Sequence, residues 1–262
     1  MANTMLNHIE LSKIVSSPNY LIYDIDPISG QFLFKEVCRE SYTQSSFLDE
    51  RLALSTGKQV VTSSSELVKS IKRNTEPMNE VCYIFHTSFC CSTLLSRWFE
   101  VWNNTFVLRE PWALRRLADF KRWNNVNNKV SKQTLSHTTT IICDQLQKSY
   151  ESARVIIKPT NLANNLIQEL IGEGIKTRAI VIYSSLNDFL VSCLKKNQQT
   201  HDKMALQAKI FARDIGGHKH FTLEQIAALP LLEACVTTWY CQFELIMKNV
   251  TETDLSNYYF VN

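Results

Sequence analysis

The sequence predicts an α/β protein in which a parallel sheet is flanked by helices and an N-terminal β-hairpin extends the core. From Val81 onward, short apolar runs alternate with segments of helical spacing, which is typical of parallel βαβ units. Before Val81, two apolar runs instead flank a turn-rich segment. The 262 residues, 45% of them hydrophobic, suffice for a sizeable core. We expect residues 1–75 to form the extension, packed on a core of residues 76–262.

Two strands and a short helix are expected in the extension. The strand-like runs are Tyr20–Tyr23 and Gln31–Phe34. Between them lies Asp26–Gly30, whose Asp, Pro, Ser and Gly favour a turn. Ser64 or Ser65 then caps a predicted helix that runs to about Lys72, with Glu66 near its start.

The core alternates strands with helices. Apolar runs predict four strands, at Val81–Phe85, Thr105–Leu108, Arg154–Ile157 and Arg178–Tyr183. Helical spacing predicts helices at Thr93–Trp102, Pro111–Trp123, Thr134–Tyr150, Leu162–Ile171 and Asp188–Lys196. Asn124–Lys132 is polar and is expected to be a loop. The remainder is predicted to be helical, with a break near Gly216 and Gly217 and a long apolar helix over Leu231–Val250.

Composition excludes several classes of function. A net charge of +3 with scattered basic residues suits an anionic small molecule and argues against a nucleic-acid partner. No stretch has the roughly 20 apolar residues that span a membrane, and no signal peptide is recognised at the N-terminus. We therefore expect a cytoplasmic protein without a membrane partner. Five of the eight cysteines lie in apolar runs, which predicts reduced, buried thiols, and without a CxxC pair no metal site is expected.

Polar side chains follow each predicted core strand. They lie in His86–Ser92, Arg109–Glu110, Lys158–Asn161 and Ser184–Asp188. Because binding sites in parallel sheets lie at the carboxyl ends of the strands, we expect these four segments on one rim. The first of them is a loop of small residues between a buried strand and a helix start, a layout that suits phosphate or sulfate.

The first loop does not match an ATP-binding loop. A Walker A loop needs glycines and a lysine, and Phe85–Leu95 has neither. This segment resembles the 5′-phosphosulfate loop of the sulfotransferase family instead, with Ser92, Thr93 and the following leucines aligned. In this alignment Cys91 stands at the usual glycine and Phe89 at the usual basic residue.

A second segment, Ile180–Ser192, supports the resemblance. Its shape is similar to the family's 3′-phosphate element, with Asp188 and Ser192 at the matching Asp and Ser. Ser184 stands where the family has Arg, and Asn187 where a second basic residue often occurs.

The resemblance implies a fold and a sulfuryl donor. It implies a P-loop sulfotransferase or nucleoside-kinase-like three-layer core, which uses 3′-phosphoadenosine 5′-phosphosulfate (PAPS) without a metal. The expected contacts to PAPS come from both loops: Ser88, Cys90, Cys91, Ser92, Thr93, Ser184, Asn187 and Ser192. Thr87 is a further candidate for a hydroxyl contact. The second substrate is expected to be a small-molecule acceptor with a hydroxyl or an amine.

Transfer of a sulfuryl group needs a cation for the leaving phosphate and a base for the acceptor proton. Lys158 is the preferred cation, with Arg109 and Arg97 as alternatives, although a lysine at a strand end can simply reach solvent. Glu110 is the preferred base and His86 the alternative; Glu110 could equally be an acid that favours a helix start. Asn161 is expected to be an N-cap and could also present its amide to a substrate.

Two other functions fit parts of the pattern. Cys91 and Arg97 have the spacing of a cysteine-dependent phosphatase, in which a helix N-terminus activates the thiolate. However, the residues between them are expected to be helical, which would carry Arg97 away. The replacement of basic residues at Phe89 and Ser184 is also compatible with a nucleotide-binding or scaffold protein that has lost catalysis.

Overall fold

The structure is a computed structural model that describes residues 8–52, 57–71, 79–102, 104–151, 154–172, 177–217 and 220–262. Its strands are β1 Tyr20–Asp26, β2 Gln31–Glu36, β3 Gln59–Ser63, β4 Glu80–His86, β5 Thr105–Arg109, β6 Arg154–Lys158, β7 Thr177–Ile182 and β8 Tyr258–Val261. Its helices are α1 His8–Ser16, α2 Arg39–Gln44, α3 Ser64–Ile71, α4 Ser92–Val101, α5 Trp112–Asn127, α6 Lys132–Leu146, α7 Ile167–Ile171, α8 Leu186–Leu194, α9 Gln198–Asp214, α10 Leu223–Ala227 and α11 Leu231–Thr251. Short 3-10 helices occupy Asn161–Leu166 and Leu255–Asn257.

The first sheet is antiparallel, in the order β1-β2-β3. The predicted hairpin is confirmed as β1 and β2, which pair from Tyr20 with Glu36 to Asp26 with Gln31. The third strand was not predicted, because its five residues offer too short an alternating pattern.

Helix α3 was predicted with its cap one position too late. Ser63, not Ser64 or Ser65, accepts a hydrogen bond from the Glu66 amide, and the Glu66 carboxylate in return accepts from Ser63. These reciprocal bonds satisfy groups that the first helical turn leaves unpaired. Lys72, the expected end of the helix, lies outside the described residues.

The second sheet is parallel, has five strands in the order β5-β6-β4-β7-β8, and is flanked by helices. This arrangement confirms the predicted α/β class and is compatible with a three-layer core. Strands β5 and β6 pair in register from Thr105 opposite Arg154 to Arg109 opposite Lys158. Strand β8 was missed, since only Tyr258 among its four residues is buried and no alternation marks it.

A polar loop was predicted at Asn124–Lys132, but in the structure the connection between α5 and α6 is confined to residues 128–131. Helix α5 continues to Asn127 and ends at Asn128, whose left-handed backbone (φ 47°) suits an Asn C-cap. Buried Asn124 explains the shorter loop, because its Oδ1 accepts from the amides of Lys129 and Val130. Next, Ser131 caps α6 by accepting from the Thr134 amide.

Helix α6 includes three consecutive threonines that weaken its helical propensity. Their hydroxyls donate to carbonyl oxygens one turn earlier, those of Thr134, Leu135 and Ser136. The predicted helix at Leu162–Ile171 instead begins as the 3-10 helix and becomes helical at Ile167.

The described chain contains two compact units. The first comprises residues 1–82 and 96–158, and the second residues 83–95 and 159–262. In the first unit, Tyr42, Phe106 and Tyr150 pack edge to face. In the second, α9 and α11 pack around Phe211, Cys241 and Leu245. The expected boundary at residues 75 and 76 lies outside the described residues.

The cysteine thiols are free, as expected from the sequence. Cys143, Cys193, Cys235 and Cys241 are buried, whereas Cys82 is half-buried. Burial raises the pKa of the Cys241 thiol to about 12. Among the described residues, no helix is both long enough and apolar enough to cross a membrane.

A lysine amine is enclosed by backbone carbonyls in the first unit. Nζ of Lys148, just after α6, donates to the carbonyl oxygens of Ile14 (3.0 Å) and Tyr20 (2.6 Å). Burial lowers the pKa of Lys148 from 10.5 to about 7, although attraction to Asp144 opposes the shift. The contact ties α1 and β1 to the end of α6.

We expect the Lys148→Met variant to be stabilised most at low pH, relative to the wild type. Between pH 7 and 10.5 the unfolded lysine holds a proton that the folded one lacks, so the lysine's contribution to stability rises with pH across this window. The difference in unfolding free energy between variant and wild type should shrink by about 3 kcal/mol from pH 6 to pH 9.5. Urea unfolding at several pH values measures it, with the exposed Lys132→Met as control. A difference that is independent of pH would contradict the prediction.

Candidate functional site

The β4–α4 loop, Thr87–Cys91, has the backbone shape of a glycine-rich loop without its glycines. Phe89 (φ 56°) and Cys91 (φ 62°) adopt left-handed conformations, which cost little in glycine and more in other residues. Cys91 occupies the position at which the aligned sulfotransferase loop has glycine. Helix α4 follows at once, and its first bond runs from the Leu95 amide to the Cys91 carbonyl.

Both ends of the β4–α4 loop are anchored within the second unit. The Thr87 amide donates to the Ile182 carbonyl at the end of β7 (3.0 Å), and Cys90 Sγ donates back to the Thr87 carbonyl. Phe89 packs on Phe189 of α8, and Nζ of Lys196 lies 5.2 Å from the centre of the Phe89 ring. Phe89 therefore contributes packing, and the positive charge near it is that of Lys196.

A fully buried glutamine fixes Ser88. Oε1 of Gln242, on α11, accepts from the Ser88 amide (2.9 Å), from the Ser88 hydroxyl (3.1 Å) and from Nδ2 of Asn161 (2.9 Å). The Asn161 amide also donates to the Ser88 hydroxyl (2.7 Å). The Ser88 amide and hydroxyl proton are thus directed at the protein. Asn161 is not an N-cap; it is the first residue of the 3-10 helix, preceded by Thr160.

Three buried hydroxyl oxygens have no hydrogen-bond partner among the described residues: Oγ of Ser45, Oγ1 of Thr87, in a residue without exposed surface, and Oγ of Ser184. Those of Thr87 and Ser184 belong to segments that the sequence selected as candidate binding loops. Unpartnered buried polar groups cost free energy, so their presence in these two loops calls for an explanation.

The Ser184 segment is held by an aromatic pair. Nε1 of Trp239 donates to the Ser184 carbonyl (2.9 Å), and its ring stacks on Phe243. Helix α8 then begins with Ser185 as N-cap, which accepts from the Asp188 amide and donates to its carboxylate. Of the other predicted contacts in this segment, Asn187 is exposed and Ser192 is half-buried.

In the first unit, Lys158 and Glu110 form an ion pair. Lys158 is 1% exposed, and its Nζ donates to Glu110 Oε1 at 2.6 Å. The Glu110 amide donates to the Lys158 carbonyl, also at 2.6 Å, which extends the pairing of β5 and β6 by one bond. The preferred cation and the preferred base are therefore direct partners.

Glu110 has a strained backbone. Its φ is 50° although it precedes Pro111, and a residue before proline normally prefers extended conformations. No hydrogen-bond donor besides Lys158 contacts the Glu110 carboxylate among the described residues, so one of its oxygens stays open. Strain that positions a half-exposed carboxylate is a feature of functional sites.

An aromatic ring and a second cation accompany the pair. Nζ of Lys158 lies 5.5 Å, and the Arg51 guanidinium 4.2 Å, from the centre of the Phe47 ring. The hydrogen bond that Arg51 donates to the Asp49 carboxylate raises the pKa of Arg51, and the charge of Glu110 contributes to this shift. Sequence reasoning missed this segment, since nothing local marks it as a neighbour of Glu110.

The alternative cations have other roles. Arg109 is 1% exposed and donates to Glu100 and to the carbonyl oxygens of Tyr42, Thr43, Ser45 and Ser46. With its guanidinium used in this way, Arg109 is a structural residue and not a cation for a ligand. Arg97 lies in the second turn of α4 and is exposed.

Both ring nitrogens of His86 are directed at carbonyl oxygens. Nδ1 lies 2.8 Å from the Thr87 oxygen, and Nε2 lies 3.1 Å from the Pro159 oxygen. Neither nitrogen presents a lone pair to a substrate, so we do not retain His86 as a base. The remaining predicted contacts are at the start of α4, where Ser92 is buried and Thr93 half-buried, and in the loop, where Cys90 is half-buried and Cys91 exposed.

Comparison with known protein families finds no family that matches this chain, and comparison with characterised proteins finds no relative.

The described residues contain two candidate sets, one in each unit. The first unit joins Glu110 to Lys158. The second joins Ser88 to Asn161 and Gln242, and contains the unpartnered hydroxyls of Thr87 and Ser184. Gln242 was missed, although a glutamine on the apolar face of α11 is a signal that could have identified it.

We expect Gln242→Met to destabilise the second unit strongly. Methionine matches glutamine in size but leaves the Ser88 and Asn161 donors without their buried acceptor. The unfolding free energy should fall by about 2–3 kcal/mol, as measured by urea denaturation. Gln198→Met, at the exposed start of α9, is the matched control and should change it by less than about 0.5 kcal/mol. Equal effects of the two substitutions would show that the Gln242 hydrogen bonds contribute little.

Proposed function

We propose that this protein transfers a sulfuryl group from PAPS to a hydroxyl or amine of a small molecule. The observation that carries the proposal is the pair of unpartnered buried hydroxyls, Thr87 and Ser184, in the two loops that resemble the PAPS-binding elements of sulfotransferases. Phosphate oxygens are acceptors for such hydroxyls. The left-handed residues Phe89 and Cys91 give further support, because they let the chain turn into the N-terminus of α4.

We assign binding of the nucleotide to residues of the second unit. Amides at the start of α4, with Ser92 and Thr93, would bind the 5′-phosphosulfate through the positive end of the helix dipole. Ser184 and Ser192 would bind the 3′-phosphate, and Asn187 would contribute a polar contact at the α8 start. The amide of Ser88 is excluded from this set, since it donates to Gln242.

We assign the removal of the acceptor proton to a residue of the first unit. The open oxygen of Glu110 takes the proton of the acceptor hydroxyl or amine as that oxygen or nitrogen bonds to sulfur. The bond between sulfur and the bridging oxygen of the 5′-phosphate breaks, and adenosine 3′,5′-bisphosphate leaves with the electron pair. Lys158, the ion-pair partner of Glu110, would be the cation that stabilises the charge of the leaving phosphate.

A nucleotide-binding protein without catalysis is the second candidate. It is favoured by the use of the Ser88 amide within the protein and by the packing role of Phe89 at the position of the usual cation. The phosphatase alternative is weaker, because α4 begins at Ser92 and carries Arg97 onto an exposed turn.

Calorimetry with adenosine 3′,5′-bisphosphate tests the nucleotide site. We expect binding with a dissociation constant below about 1 mM, and at least tenfold weaker binding of adenosine 5′-monophosphate, which lacks the 3′-phosphate. The variant Ser184→Ala should weaken binding of the bisphosphate, with Ser136→Ala, at an exposed position of α6, as control. No heat of binding with millimolar bisphosphate would refute both nucleotide proposals.

Glu110→Gln separates the two candidates. Glutamine can still accept from Lys158 through Oε1 but cannot take a proton, so sulfuryl transfer should fall by about 10²–10⁴-fold. Bisphosphate affinity should change less than twofold. Transfer of radiolabelled sulfate from PAPS to a panel of alcohols and amines provides the assay. Binding without transfer by the wild type would favour the non-catalytic protein, and full activity of Glu110→Gln would exclude Glu110 as base.

A further inference from the structure

His86 ends β4 with an imidazole that meets two hydrogen-bond acceptors. Its Nδ1 lies 2.8 Å from the Thr87 carbonyl oxygen and its Nε2 3.1 Å from the Pro159 carbonyl oxygen. The residue is 5% exposed, so water cannot readily substitute for either partner. Its own carbonyl accepts from Nδ2 of Asn164 at 2.9 Å.

The two acceptors decide the protonation state. A neutral imidazole carries one N–H and one lone pair, and that lone pair would face a carbonyl oxygen at hydrogen-bond distance. An imidazolium donates to both oxygens, and hydrogen bonds from an ionised donor are about twice as strong as neutral ones. Rotating the ring by half a turn would bring carbon atoms to both oxygens and lose both bonds.

We propose that His86 is an imidazolium in the folded protein and that its positive charge strengthens anion binding at the β4–α4 loop. The proposal about the anion rests on the proposed function; the proposal about the protonation state does not. His86 immediately precedes the loop, and Thr87 links the two through its carbonyl.

The ionisable residues on elements that contact or adjoin His86 are few. The 3-10 helix with Asn164 has none, and on β7 there is Arg178, near the end opposite Ile182. Strand β4 itself contains Glu80, which pairs with Arg154, and the ionisable residues Cys82 and Tyr83. Lys158 precedes Pro159 in the chain and has Glu110 as counter-ion. The loop and α4 contribute Cys90, Cys91, Arg97 and Glu100.

His86 is a positioning residue in this proposal, since it contacts backbone and not the anion. Its two charge-assisted bonds hold the end of β4 against Pro159, which leads into the 3-10 helix with Asn161. Loss of the proton would leave one bond and one repulsive contact. The conformation of the loop and the charge behind it would then change together.

Nitrogen NMR of the full-length wild-type protein tests the protonation state directly. Long-range proton–nitrogen correlation spectra of the histidine rings distinguish an N–H from a bare nitrogen. We expect both nitrogens of His86 to be protonated at pH 6 through pH 8. Through-bond correlation of the ring to the backbone amide in the wild type assigns the residue. A bare nitrogen on His86 at pH 7 would overturn the proposal, and this measurement requires no variant.

Binding of inorganic sulfate tests the effect on the loop. Sulfate does not titrate in this range, so any pH dependence comes from the protein. At constant ionic strength, His86→Gln should bind sulfate about fivefold more weakly than the wild type at pH 7. His201→Gln, which removes an α9 ring bonded to the Cys193 carbonyl of α8, should bind like the wild type. Equal affinities of His86→Gln and the wild type would overturn the role in anion binding. Failure of the wild type to bind either sulfate or bisphosphate would instead refute the nucleotide site, while the NMR result still decides the state of His86.

Discussion

The ion pair between Lys158 and Glu110 is the constraint from which the organisation of the first unit follows. A lysine with 1% exposure at the end of an apolar strand is strongly destabilising without a counter-ion. Glu110 meets this need only because its backbone turns left-handed directly after β5. That turn ends the strand, places Pro111 before α5 and leaves one carboxylate oxygen open. The same arrangement therefore stabilises the fold and provides the candidate base.

In the second unit, one amide oxygen has a comparable role. Gln242 is fully buried and gathers donors from Ser88 and Asn161, which are 154 and 81 residues away in sequence. These bonds fix the β4–α4 loop before any ligand arrives, so binding would cost little loop ordering. This preorganisation also limits anion binding, because the Ser88 amide donates to Gln242 and cannot also donate to a bound anion.

Local sequence patterns predicted most of the fold. They could not predict which groups the polar side chains contact. Apolar runs and helical spacing located the strands and helices of the core, since these periods are written into neighbouring residues. They failed at β3 and β8, which are too short to show a pattern. Glu110 and Lys158 could be placed at strand ends, but their contact depends on the register of β5 against β6. Arg109 was predicted as an alternative cation for a ligand. The carbonyl oxygens that it contacts instead belong to residues 42–46, which are distant in the sequence.

Phe89 contributes packing and no charge to the β4–α4 loop. A lysine in an anion-binding loop attracts ligands from solution and screens their charge, whereas Phe89 packs against Phe189 and stabilises the loop from within. In the proposed anion site, positive potential would then come from groups that do not point at the ligand: the α4 dipole, the Lys196 ammonium near the Phe89 ring, and the ring of His86 behind Thr87. Such charges act at longer range and offer no direct hydrogen bond, so hydroxyl and amide donors would determine which anion binds. Selectivity would accordingly depend more on the geometry of those donors than on net charge.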